Sequence, residues 1–168
     1  MDFKKLYSDY LTLDHNDPSN TYSLFDHMPQ RMKLFGLEIH NIINESIAYK
    51  DKTKLKFALI TAYTDGIDRS YIKLISILLD ETWHNEHEDL VNVIYLYNLD
   101  DDIFTDSLYQ IAMEPDTFRK YDDELESTLR KCVHALKVIN SEKANIYIEK
   151  LKNSKNSNID SVLSMYTK

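Results

Sequence analysis

Ala135-Leu136-Lys137-Val138-Ile139-Asn140-Ser141-Glu142-Lys143-Ala144 closes one amphipathic helix and opens the next. Upstream, Leu125, Leu129, Cys132, Leu136 and Ile139 recur at helical spacing, which predicts a helix over about 122–138. Asn140 is a residue that tolerates the left-handed conformation of a helix end. A second helix follows over 141–152. Two further segments line up with this one: Tyr95-Leu96-Tyr97-Asn98-Leu99-Asp100 ahead of a helix at 102–112, and Ala58-Leu59 ahead of Asp65-Gly66 and an apolar helix at 69–79. The leucines lie 37 residues apart from Leu59 to Leu96 and 40 apart from Leu96 to Leu136. A truncated last unit carries Leu163. A repeat of this length signals a stacked helical array.

The remaining chain is also helical in pattern. Phe3, Leu6, Tyr7, Tyr10 and Leu11 give a helix near 2–13, and residues 14–20 are a loop by composition. A long helix is expected from Pro29 to Tyr49, with Asp26 as its cap and Met32, Phe35, Ile39, Ile42, Ile43 and Ile47 as its stripe. Others are expected over 54–63 and 84–98, with a short last one around Ile159 to Met165. Val91 to Tyr97 is the best strand candidate by composition, yet its flanks read as helix. Glu114-Pro115-Asp116 is a break, and 153–158 a polar turn. The fold class is therefore all-α, built of antiparallel helices, with residues 1–50 as an N-terminal helical cap on a continuous region from 51 to 168.

Composition agrees. The 168 residues include only 2 Gly and 3 Pro, too few for a turn-rich β architecture. No apolar stretch reaches membrane-spanning length, and no secretory signal pattern is visible. Cys132 is the single cysteine, so no internal disulfide forms and a cytoplasmic setting is expected. Charge is uneven. Residues 1–79 balance 10 acids against 10 bases. Residues 80–126 hold 15 acids and 2 bases, and residues 127–168 hold 3 acids and 8 bases. A field of −13 over 47 residues disfavours nucleic acid and favours basic proteins.

The Ala135 to Ala144 pattern resembles the HEAT-like α-solenoid repeat, in which a helix ends in Ala-Leu and the next opens with Ala. The 95–108 and 58–72 copies match it less well. Within that frame, Trp83-His84-Asn85-Glu86-His87-Glu88-Asp89, Tyr121-Asp122-Asp123 and Lys131-Cys132-Val133-His134-Ala135-Leu136 are similar to a group of small bacterial HEAT-repeat proteins of the interaction or immunity type. The resemblance implies a protein that binds and neutralises a toxin.

Its implied contact residues are Trp83, His84, His87, Glu88, Asp89, Tyr121, Asp122 and Asp123, with Asp100, Asp101 and Asp102 as steering charges. Tyr95, Tyr97 and Tyr109 are further candidate anchors. An alternative is a metal-dependent hydrolase or lyase. His84 and His87 share a helix face at i, i+3 spacing, and Asp122 or Asp123 would supply a third ligand. The plainer reading is that the acids at this helix start complement its dipole and each histidine finds a hydrogen bond beside them. Asp100-Asp101-Asp102 lacks the glycine and glutamate of a calcium loop and reads as helix capping. No nucleophile elbow, phosphate loop or dinucleotide motif is present. The expected partner is a basic protein, with no cofactor, nucleic acid or membrane, and no catalytic residue is assigned.

Overall fold

The computed structural model describes residues 2–15, 17–28 and 32–167. Those residues carry eleven α-helices and no strand, and they group into two compact units, 1–67 and 68–168. No described helix is long and apolar enough to cross a membrane.

The first unit holds α1 (Phe3–Leu11), α2 (Pro18–Phe25), α3 (Gly36–Tyr49) and α4 (Lys52–Asp65). Three aspartates start helices in the same way, each carboxylate accepting a first-turn N–H: Asp2 from Lys4, Asp17 from Ser19 and Asp51 from Lys54, all at 2.9 Å. Phe57 of α4 is fully buried, and Phe3, Tyr7, Tyr10 and Phe25 place their rings within 6.1 Å of its own. α4, which the repeat reading placed in the second region, packs here against α3.

Two expectations change in this unit. The polar run 14–20 contains the start of α2, because Asp17 followed by Pro18 makes an N-cap and first turn. The helix expected from Pro29 starts at Gly36 instead; Pro29 itself lies outside the described residues. Asp26 ends α2 and does not cap α3. The reason for the late start is Asp65. Its buried carboxylate accepts the backbone N–H of Leu34 at 2.7 Å and of Phe35 at 3.0 Å, and its carbonyl accepts that of Lys33 at 3.0 Å. Those bonds hold the 33–35 run before α3 against the end of α4. The chain then leaves through Gly66 at φ 108°, a backbone conformation that needs glycine.

The second unit holds α5 (Ile72–Asp80), α6 (His87–Leu96), α7 (Thr105–Met113), α8 (Pro115–Phe118), α9 (Ser127–Ile139), α10 (Glu142–Lys152) and α11 (Ser157–Ser164). α9 is its centre and packs against α6, α7, α10 and α11, while α5 packs against α6 and α7. Leu129, Cys132, Val133 and Leu136 form the buried side of α9 and meet a core that includes Leu90, Ile94, Leu108 and Ile111. The quoted 135–144 junction is as read: Asn140 closes α9 at φ 50°, and Ser141 opens α10 by accepting the Ala144 N–H at 3.1 Å. Val91 to Leu96 is helical. Cys132 is fully buried, and desolvation pushes its thiol far above the ordinary value.

α9 begins five residues later than expected. Glu126 is left-handed at φ 45°, and Leu125, expected in the core stripe, is 61% exposed. The expected break at 114–116 holds the one-turn helix α8.

Candidate functional site

The segment between α5 and α6 brings together four rings. Trp83 meets His84 edge-on at 5.0 Å. His84 stacks on His87 at 4.6 Å with planes 21° apart. His87 meets Phe118 of α8 edge-on at 4.9 Å. Both histidines are buried, 3% and 2% exposed. The His84 Nε2–H donates to the Leu78 carbonyl at 2.9 Å, and its Nδ1 accepts the Glu86 N–H at 3.1 Å. That pair of bonds assigns a neutral imidazole with no lone pair left for a metal. Burial drives the pKa of His87 down to about 4; the neighbouring His84 adds to the shift, and the backbone carbonyls of Glu81 and Leu79 oppose it. Among the described residues, no three His, Cys, Asp or Glu side chains are grouped to hold a metal ion. The i, i+3 histidines therefore stack within the core, and His84 and His87 are not presented to a partner.

The neutral stack makes stability depend on pH. The unfolded imidazole of His87 takes its proton near pH 6.5 and the folded one near 4. The stabilisation is therefore complete above pH 6.5 and is lost as pH falls toward 4, amounting to about 3 kcal/mol. Urea midpoints measured at pH 7.5 and 4.5 should fall much further for wild type than for His87→Gln. Equal falls would show that His87 is not the group responsible.

The acidic residues sort into two sets. Most are answered inside the unit. Glu88 accepts from Ser127 at 2.8 Å and Lys131 at 2.7 Å; burial acts to raise its pKa, and these bonds outweigh it, leaving a net lowering. Asp100 pairs with Arg69, and Asp101 accepts the Ile103 N–H at 3.0 Å. Asp102 accepts from Ser141 and Thr105, and Asp106 accepts from Lys143 and the Tyr147 hydroxyl. The acids of 80–126 thus find many of their partners on α9 and α10, whose lysines make 127–168 basic. Steering by Asp100 is blunted by its pairing with Arg69, whereas Asp102 is bonded to neutral hydroxyls and keeps its charge.

Asp122 is the second correction. Its side chain is buried, and its carboxylate caps α9, accepting the Thr128 N–H at 3.1 Å and the Thr128 hydroxyl at 2.6 Å. Arg119 lies beneath. Nε donates to the Ile111 carbonyl at 3.1 Å and Nη2 to the Ala112 carbonyl at 2.9 Å. Nη1 donates to Asp122 at 3.3 Å and Glu126 at 3.2 Å. Glu126 in turn accepts from Asn156 and Asn158 at the start of α11.

The clamp faces inward, and the residues between its members face outward. Tyr121 is 74% exposed, Leu125 is 61% exposed, and Lys120, Asp123 and Glu124 are exposed beside them. Asp123 stiffens the turn by accepting the Leu125 N–H at 2.9 Å. Met113, Glu114 and Asp116, on the stretch that Arg119 ties to this loop, are also exposed. The chain matches no family model, no curated protein and no solved structure. The 113–125 edge is thus identified from its own geometry.

Of the tyrosine anchors expected from sequence, Tyr95 stacks on His134 and Tyr109 on Tyr147, so both rings are engaged internally. Trp83 is half-buried, and its indole nitrogen is buried without a hydrogen-bond partner. Asp89 is exposed at the first turn of α6. Leu125 reads in the sequence as a core residue, and Arg119 as an ordinary surface cation.

Proposed function

We propose that this chain is a protein-binding helical module, of the HEAT-like kind, whose second unit receives a basic protein on the 113–125 edge. The observation that carries the reading is the display of Tyr121 and Leu125 on a loop clamped from below. Tyr121 and Leu125 are held out in water, next in sequence to the exposed Asp123 and Glu124. Tyrosine anchors within a charged rim are typical of protein interfaces, and opposite charge speeds encounter. A rigid loop also limits the entropy lost on docking. An immunity protein that masks a toxin is the concrete form of this reading, supported by the resemblance of its Tyr121-Asp122-Asp123 and Lys131-Cys132 motifs.

The contact residues are accordingly Tyr121, Asp123, Glu124 and Leu125, with Asp116 and Asp89 contributing field. The test is affinity capture from host lysate by wild type beside Asp123→Lys/Glu124→Lys, at low and high salt. One basic protein should be retained by wild type, weakened by salt and lost by the variant. Coexpression of this chain should then protect cells from the captured protein. A partner held equally by the double variant would remove this edge from the interface. Asp122 is avoided, because its substitution unpicks the fold.

A further inference from the structure

Three surface places set a lysine over an aromatic ring. Lys137 lies over Tyr166 at 5.6 Å, Lys150 over the stacked Tyr109 and Tyr147, and Lys120 over Tyr121 at 5.0 Å. The first sits beside His134 on a helix that also carries Arg130 and Lys137, surroundings that repel a second cation. In the second, the two rings cover each other at 4.2 Å, and Asp106 is already bonded to Lys143 and Tyr147. Tyr121 differs on both counts. Its ring is 74% exposed, and its sequence neighbours on the displayed side are Asp123 and Glu124.

An exposed ring in an acidic stretch of the chain suits a cation that is both planar and charged. A guanidinium stacks on tyrosine while its N–H groups reach carboxylates, whereas an ammonium is a hydrated point charge. We infer that Tyr121 is the docking platform for an arginine side chain of the basic partner, and that Lys120 occupies that ring face in the unbound protein. The inference rests on the reading that a basic protein docks on this edge. Lys120 is exposed, and its contact with the Tyr121 ring lies at the surface. The chain therefore carries its own weak competitor for the partner's arginine.

The probes are fluorescent nona-arginine and nona-lysine peptides, titrated by anisotropy into the full chain at low salt. Wild type should bind nona-arginine about two- to fivefold more tightly than nona-lysine. Lys120→Ala should tighten nona-arginine further, by removing both the competitor and a like charge. Tyr121→Phe should keep the preference for arginine, and Tyr121→Leu, with unchanged circular dichroism, should abolish it. Equal binding of the two peptides by wild type, or a preference that survives in Tyr121→Leu, overturns the arginine platform. If both peptides bind equally and are released by salt and by Asp123→Lys/Glu124→Lys, the basic-partner reading stands without the platform. If wild type binds neither peptide, the basic-partner reading falls and the platform falls with it.

Discussion

Arg119→Met is expected to remove about 3–5 kcal/mol from the stability of the second unit. The guanidinium donates to two backbone carbonyls and two carboxylates, and it is buried with Asp122. Methionine fills similar volume and supplies no donor. Asp122 is then left as a buried charge whose remaining partners are the Thr128, Ser127 and Leu129 groups at the start of α9. Leaving one member of a buried ion pair behind is the costly case. A domain of about 100 residues should lose about 12 °C or more in melting temperature. Arg119→Lys keeps the charge but cannot span four acceptors, so it should fall between. Urea unfolding followed by circular dichroism gives the measurement. A loss below about 1 kcal/mol for Arg119→Met would show that the network does not hold the 119–126 loop.

Asp65→Ala is expected to cost the first unit about 2–4 kcal/mol. The carboxylate is buried, and it answers two consecutive backbone N–H groups just ahead of α3. Alanine leaves the Phe35 N–H buried and unpaired and frees the 33–35 run from the end of α4. Asp65→Asn retains one acceptor oxygen and should lose about half as much. Limited proteolysis gives a local readout: cleavage near Lys33 should appear in Asp65→Ala well below its unfolding midpoint. Unchanged proteolysis together with unchanged urea midpoints would show that the clamp is redundant.

These two residues mark where the sequence stops being readable. Asp65 stands in the Thr64-Asp65-Gly66 stop signal, and its partners lie 30 and 31 residues earlier. Nothing local distinguishes such an aspartate from a solvated turn residue. Arg119 stands in a polar stretch, and only the fold reveals its burial. What was legible was periodic. The α9–α10 junction followed from its apolar spacing and from Asn140. The apolar residues of 72–79 lead to a core helix, α5, with Leu74, Ile75, Leu78 and Leu79 buried, although Ile77 is exposed.

Tertiary bonds overrode pattern elsewhere. Leu125 keeps helical register with Leu129, yet Glu126 turns left-handed between them and leaves Leu125 outside. His84 and His87 have ligand-like spacing, but a backbone carbonyl and a backbone N–H use up the His84 ring. The acidic band is partly paired across helices, Glu88 with Lys131, Asp100 with Arg69 and Asp106 with Lys143. Charge was counted along the chain, and its neutralisation happens across helices.

The central place of α9 has a consequence for synthesis on the ribosome. Residues 68–126 carry 16 acids and 4 bases, and they emerge before the helix that closes their core. Until Ile139 is clear of the exit tunnel, α6 and α7 have only α5 to pack on, and Glu88 has no lysine. The first unit is complete at residue 67 and can fold while the rest is being made. The second unit must wait as a self-repelling, loosely helical chain and then condense around α9. A nascent chain with residues 1–126 outside the tunnel would therefore be protease-resistant over α1–α4 and sensitive throughout α5–α8. One stalled about 30–40 residues beyond α11 would be resistant in both units.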